Sequence, residues 1–177
     1  MTNINEILSN KAIKPKDKTV ALSELLLDNS IKTSELIEFA KTAKDSPKAT
    51  CIEVLEFATQ IKPEIATLEC LEFVSDALTS KAPRVKWESA KVIGNIAHLF
   101  PDELDSAIGN LLKNTEFDGT VVRWSAAFAL GEILKIGSEL SKELFPTLQA
   151  ICQREEKSSI QKLYLSAFKI YNKNFLK

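Results

Sequence analysis

The sequence is poor in the residues that build most metal and small-molecule sites. Its 177 residues include one histidine, three cysteines and five glycines. The cysteines, Cys51, Cys70 and Cys152, are an odd number at wide spacings, so neither a disulfide framework nor a zinc motif is indicated. His98 has no second ligand at metal-binding spacing. We therefore expect no metal and no cofactor, and we expect the three thiols to be buried as small apolar groups.

Long apolar runs and an excess of one charge are also missing. No apolar run reaches the roughly 18 residues that cross a bilayer. The first twenty residues carry lysines and polar side chains where a signal peptide needs an apolar stretch. The formal net charge is −1, from 23 basic and 24 acidic residues, whereas a protein that holds a phosphate backbone usually has a basic excess. We predict a cytoplasmic protein for which nucleic acid is an unfavoured partner.

The signals of β-structure are absent as well. There is no sustained alternation of apolar and polar residues and no Asn-Gly hairpin turn. Apolar residues make up 45% and charged residues 27% of the chain, which is typical of a folded domain. We predict an all-α protein with a single domain over residues 1–177.

What the sequence does contain is an internal repeat. The segment PRVKWESAKVIGNIA, residues 83–97, matches TVVRWSAAFALGEIL, residues 120–134, under a shift of 37 positions (120 minus 83). The shift pairs Trp87 with Trp124 and Gly94 with Gly131. Weaker copies lie upstream and downstream, and such periodicity is typical of helical repeat proteins.

Second apolar patterns at helical spacing lie between these copies, so each repeat is predicted to be two helices. Most prolines, Pro146 among them, are expected at or near the first turn of a helix. One hairpin cannot bury its apolar face alone, so we predict a short right-handed α-solenoid of stacked helical hairpins. The predicted units are residues 17–44, 45–80, 81–117 and 118–156, with an unpaired capping helix at 158–175.

The string DGTVVRWSAAFALGEIL, residues 118–134, resembles the first helix of a HEAT repeat, particularly the short bacterial kind also seen in phycobilisome-lyase-like proteins. The resemblance implies a HEAT/armadillo-like superhelix. It also implies a ladder between repeats, formed by an acid before the helix and a basic residue five positions later. Asp118 and Arg123 match this pattern, but Lys81 and Thr50 replace the acid and the base in other repeats. The implied ladder is therefore incomplete.

Two kinds of residue are predicted to be structural. Trp87 and Trp124 are spaced from the apolar residues that follow them as core residues would be. We therefore predict that both indoles are buried and that Trp124→Ala lowers the free energy of unfolding by roughly 3–5 kcal/mol. Gly94 and Gly131 lie mid-helix, where glycine costs up to about 1 kcal/mol relative to alanine. A close approach between helices is the expected compensation.

An acidic segment supplies the candidate binding site. Residues 45–80 contain seven acids and two lysines, a balance of −5. At about 100° per residue, Glu69, Glu72 and Asp76 fall within roughly 60° of arc on one helix. We expect the second helix of each pair to line the concave surface, so this stripe could receive a basic peptide or a basic patch of another protein. A solvated helix face explains the same pattern.

The end of the chain has the opposite charge. Residues 118–177 contain nine basic and six acidic residues, a balance of +3, and the resulting dipole could orient a partner or a second copy of the chain. The last predicted helix carries aromatic residues at helical spacing, which indicates either packing on the previous repeat or a docking surface. These residues are Tyr164, Phe168, Tyr171 and Phe175.

The leading functional hypothesis is a non-enzymatic protein-binding scaffold or adaptor that uses the concave face of the solenoid. The resemblance leaves two alternatives. HEAT-like folds include bacterial DNA glycosylases, but the acidic second repeat and the predicted burial of both tryptophans argue against that activity. A lyase-type accessory acting on tetrapyrrole-bearing proteins is suggested by residues 118–134 alone, as an analogy of fold.

Overall fold

A computed structural model describes residues 4–176, and the first three residues and Lys177, which the predicted domain also includes, lie outside the described residues. Within them the chain forms ten α-helices and no β-strand, which confirms the predicted all-α class. Short 3-10 turns occur at Pro63–Ile65 and Ala97–Leu99. The helices are α1 (Ile4–Ser9), α2 (Pro15–Leu27), α3 (Thr33–Thr42), α4 (Asp45–Ile61), α5 (Leu68–Ala77), α6 (Pro83–Ile96), α7 (Asp105–Asn114), α8 (Thr120–Ile136), α9 (Glu139–Arg154) and α10 (Ser158–Phe175).

Several helix ends follow directly from local chemistry. Pro83 begins α6, where its missing N–H costs nothing. The Thr67 hydroxyl accepts a hydrogen bond from the backbone N–H of Cys70 and so caps α5. Gly137 ends α8 with a φ of 74°, in the left-handed region that glycine tolerates best. Pro146 departs from the expected proline positions, because the Ser138 cap starts α9 early and leaves this proline inside the helix, and Pro101 lies in the turn before α7.

The helices form two layers, one of odd-numbered and one of even-numbered helices. Each of α3, α5 and α7 packs more closely on the even helix that follows it than on the one before it. The helix α9 packs on both α8 and α10, so the last helix is not unpaired. The sequence interpretation had joined each even helix to the odd helix after it. A repeat period determines the length of a unit but does not determine where the unit begins, so both pairings were compatible with the sequence.

The even-numbered helices lie closer to one another than the odd-numbered helices do. In a bent two-layer stack the layer with the closer helices is on the inner side of the bend. The even layer, α2, α4, α6, α8 and α10, therefore lines the inside. This arrangement corrects the expectation that α3, α5, α7 and α9, the second helices of the predicted pairs, line the concave surface.

One hydrophobic core runs through all the hairpins, from Ile4 in α1 to Tyr171 in α10. Its last part is aromatic: Tyr164 and Tyr171 are buried, and Phe145 of α9 packs on Phe168 and Tyr171 with ring centroids 5.4 and 4.9 Å apart. Phe168 and Tyr171 of α10 therefore pack on the preceding helix, whereas Phe175 is 42% exposed. None of the helices in residues 4–176 has the length and hydrophobicity needed to cross a membrane.

Candidate partner-binding surfaces

The predicted acidic residues lie together on α5, in the odd layer. They line a groove of about 560 Å³, which Lys41, Lys48 and Phe73 also line. Lys41 neutralises part of the charge, because its Nζ lies 3.0 Å from Glu69 and 2.7 Å from Glu38. Glu72 and Asp76 are exposed, and neither has an ion pair among the described residues. The groove therefore keeps two uncompensated carboxylates, but on the outer side of the bend.

The inner side carries a second polar cluster, which joins α4 to α6. The Arg84 guanidinium lies 2.7 Å from the Glu53 carboxylate, and the Thr19 hydroxyl of α2 donates to the same oxygen at 2.9 Å. Two turns further along α6, the Lys91 amine lies 3.6 Å from Glu56. These pairs connect residues more than thirty positions apart in the chain, and no local sequence pattern announces them.

Glu88 is the most buried carboxylate of this cluster, at 5% exposure. Its Oε1 accepts a hydrogen bond from the Trp87 indole N–H at 2.8 Å, and Lys91 Nζ lies 2.9 Å from its Oε2. Burial lowers the pKa of Lys91, but the hydrogen bond and charge of Glu88 and the charge of Glu56 more than offset this, so the net pKa is raised. Burial raises the pKa of Glu56. The hydrogen bond from the indole N–H to Glu88 therefore orients the Trp87 ring.

Both tryptophans lie at the edge of the core, so the prediction that they are buried within it is wrong. Trp124 is 37% exposed and Trp87 is half-buried. Trp124 stacks on Phe128, with ring centroids 6.0 Å apart and an interplanar angle of 11°. The core side of α8 is formed instead by residues such as Ala126, Ala127 and Leu130, which are fully buried. The repeat predicted correctly that Trp87 and Trp124 are equivalent, but a shared helical angle does not show which side of the helix faces the core.

Glycine makes room for this aromatic surface. A Cβ built on Gly94 of α6 would lie 2.3 Å from Cε1 of Phe128, so the Phe128 ring of α8 rests directly against the α6 backbone. The same ring stacks on Trp124. We call the surface of α4, α6 and α8 formed by Glu53, Arg84, Trp87, Lys91, Trp124 and Phe128 the even-helix face. The sequence analysis did not identify Phe128, the Glu53–Arg84 pair or the Glu56–Lys91 pair as candidate functional residues.

Arg123 forms a ladder contact, but not through the Asp118 carboxylate. Its guanidinium donates to the main-chain oxygens of Phe117 and Asp118, at 3.0 and 2.9 Å, and lies 3.1 Å from Glu155 of the next hairpin. Lys86, at the equivalent position, donates to the Leu78 carbonyl and to Asn114. Lys86 and Arg123 therefore each reach a backbone carbonyl before their helix and a polar side chain outside it.

The even layer also holds most of the exposed apolar surface. Within residues 4–176, seven of the nine large apolar side chains that are exposed lie on even helices, namely Phe57, Ile61, Val121, Trp124, Leu165, Ile170 and Phe175. The exposure of Trp124 also weakens one of the two arguments against a DNA glycosylase, namely the predicted burial of both tryptophans. The charge argument remains, because the carboxylates around the even-helix face balance its basic side chains and phosphate binding needs a basic excess.

No protein-family profile and no curated protein matches the sequence. Solved structures do match. A designed armadillo repeat protein in complex with the peptide (KR)4 has a TM-score of 0.71 at 15% identity, covering 96% of this chain and 80% of that chain. The complex of CpcE and CpcF of phycocyanin lyase from Nostoc sp. PCC7120 has a TM-score of 0.67 at 19% identity, covering 93% and 95%. An engineered protein has a TM-score of 0.71 at 16% identity, covering 96% of this chain.

This chain spans about half, 46%, of that engineered protein. The identities are low, so the likeness concerns the fold alone. It agrees with the stacked hairpins, the continuous core and the absence of strands in residues 4–176. The chain is an α-solenoid with HEAT/armadillo-like repeats.

Proposed function

We propose that this protein is a non-enzymatic scaffold that holds a segment of another protein on its even-helix face. Basic side chains of that segment would stack on Trp87 and Trp124. The observation that carries the proposal is the presence of two tryptophans at equivalent positions of adjacent inner helices, Trp124 exposed and Trp87 half-buried. Trp is enriched among the residues that supply most of the energy of protein interfaces.

The chemistry around the indoles favours a cation. A lysine or arginine over a tryptophan face gains about 0.5–2 kcal/mol, depending on how far it is desolvated. The carboxylates of Glu53 and Glu88 lie on the same face. Arg84 and Lys91 already pair with them, so these carboxylates offer no free counter-charge and the attraction for a cation comes from the indole rings. The similar fold of a designed armadillo repeat protein bound to the peptide (KR)4 supports this class of partner.

The two tryptophans allow a direct test, because they are the only ones in the sequence. We expect titration with the eight-residue peptide of alternating lysine and arginine to change their fluorescence and to saturate. The affinity should fall as salt is added, because charges at a surface are screened. By calorimetry, Trp87→Ala and Trp124→Ala should each weaken binding by about 5- to 30-fold, the equivalent of about 1–2 kcal/mol.

Two controls make the result specific. Glu72→Lys changes a charge on the outer layer and should leave the affinity for the peptide unchanged, and circular dichroism should show that every variant is folded. A peptide of alternating glutamate and aspartate should not bind. No saturation up to about 1 mM peptide, or an equal response to the acidic peptide, would contradict the proposed function.

The lyase-type accessory is the second candidate. The similarity to the complex of CpcE and CpcF, which extends over 93% of this chain, favours it. Binding of this protein to phycocyanin, compared with binding to serum albumin, tests it. Binding to duplex DNA at low salt would instead support the glycosylase-like alternative.

A further inference from the structure

The last helix has one buried side and one exposed side. Tyr164 and Tyr171 of α10 are buried against the preceding hairpin. On the exposed side a stripe runs the length of the helix and falls within roughly 80° of arc at about 100° per residue. We call it the α10 stripe, and it consists of Lys162, Leu165, Lys169, Lys173 and Leu176.

This stripe differs from the polar outer surface that usually closes a helical repeat protein. Leu165 is 57% and Leu176 is 54% exposed. The helix contains three lysines and no acidic residue. None of the three lysines has an ion pair among the described residues. Apolar area and uncompensated positive charge thus lie together on one helix face.

The groove beside α5 has an acidic excess that complements the stripe. Its α5 side carries three acids and no basic residue, and Lys41 and Lys48 line the rest of the groove. Glu72 and Asp76 are exposed without an ion pair among the described residues, and half-buried Phe73 and Ala77 add apolar area. The fit also extends to spacing, because residues four apart on a helix are neighbours on its surface. Lys169 and Lys173 have this spacing, as do Glu72 and Asp76.

We propose that the α10 stripe of one molecule docks in the α5 groove of a second copy of the chain. Two lysine–carboxylate pairs then form side by side, and the leucines of the stripe cover apolar area of the groove. Each copy carries both surfaces, so the contact is head-to-tail and extends from copy to copy. The groove is small, so the association is weak, at the low end of specific interfaces of about 1,200 Å², and it is screened by salt.

The test uses two variants that each lose one surface. The stripe variant combines Leu165→Ser, Lys169→Gln and Lys173→Gln, and the groove variant combines Glu72→Gln and Asp76→Asn. In sedimentation velocity the wild-type mass should rise with protein concentration and fall on addition of salt. Each variant by itself should stay monomeric. An equimolar mixture should form a one-to-one dimer that does not grow, because the stripe variant keeps its groove and the groove variant keeps its stripe.

A matched control removes two positive charges elsewhere. Lys11→Gln with Lys16→Gln alters exposed lysines near the start of the chain and should leave association as in the wild type. Circular dichroism identifies any variant that is not folded. A wild type that stays monomeric at every concentration overturns the proposal, and so does a stripe variant that associates like the wild type. A mixture that stays monomeric or grows beyond a dimer also overturns it.

Discussion

Single residues determine how closely the even helices approach one another. A Cβ on Gly131 of α8 would lie 3.3 Å from the Cβ of Ala167 in α10. Because the Ala167 Cβ is attached rigidly to its backbone, a side chain at Gly131 would push the whole of α10 away. At Gly94 the neighbour is the Phe128 ring, which can rotate. Gly94 and Gly131 are equivalent in the repeat but therefore differ in how well they tolerate an added side chain.

We expect Gly131→Val to lower the free energy of unfolding by about 1–3 kcal/mol, the usual penalty for overpacking. Gly109→Ala in α7 is the matched control, because a Cβ there meets nothing within 4 Å. It should raise stability by up to about 1 kcal/mol through helix propensity. Urea unfolding measures both changes. A Gly131→Val variant as stable as the wild type would show that α8 and α10 can separate without loss.

The position of Trp124 at the edge of the core changes its expected contribution to stability. An indole that is 37% exposed loses less on truncation than a buried ring, so Trp124→Ala should cost about 1–2 kcal/mol. Tyr164→Ala provides the comparison, since Tyr164 is 1% exposed and its loss should cost about 3–5 kcal/mol. Chemical unfolding should rank the two variants in this order. Equal losses would contradict the assignment of Trp124 to the binding surface.

At the scale of elements, Arg123 and Glu155 hold α8 to the turn between α9 and α10. The Glu155 side chain is only 7% exposed, and its Oε1 also accepts the Lys157 backbone N–H at 2.9 Å. Burial raises the pKa of Glu155, but the Lys157 N–H and the Arg123 guanidinium more than offset this and leave the pKa below its usual value. The stabilisation is therefore present above the unfolded-state pKa, near 4.3, and is lost as the pH falls through the folded value.

Glu155→Gln should lower the free energy of unfolding at neutral pH by about 1–3 kcal/mol, because a partly buried guanidinium loses its charged partner. The difference from the wild type should shrink as the pH falls below about 4. Thermal unfolding across this pH range measures it. Glu139→Gln removes an exposed partner of Lys142 and should leave stability close to that of the wild type at any pH, because an exposed ion pair is screened by solvent. A difference at Glu155 that does not depend on pH would reject the ionic account.

At the scale of the molecule, stability is a sum over neighbouring hairpins. The end hairpin α9–α10 has a neighbour on one side only and should open more easily than the middle. The three free cysteines report on this, because Cys51 and Cys70 are fully buried in α4 and α5 and Cys152 lies in α9. Burial raises the pKa of Cys51 and Cys70 to about 12, so little reactive thiolate is present in the closed state.

We therefore expect a thiol reagent to label Cys152 faster than Cys51 or Cys70 in native buffer, as followed by mass spectrometry. Full unfolding in urea should make the three rates equal. Labelling of all three at a single rate in native buffer would show instead that the stack opens as one unit.

The amino-acid sequence was sufficient for the all-α class, the repeat length and the equivalence of Trp87 with Trp124, because each depends on spacing along the chain. The pairing of helices into hairpins, the inner position of the even layer and the exposure of the indoles were decided only in the folded molecule. They depend on which helices approach closely. Gly94 and Gly131 permit a close approach within the even layer, where α6 meets α8 and α8 meets α10. Contacts such as Glu53 with Arg84 join distant parts of the chain, so their effect appears only when the hairpins stack.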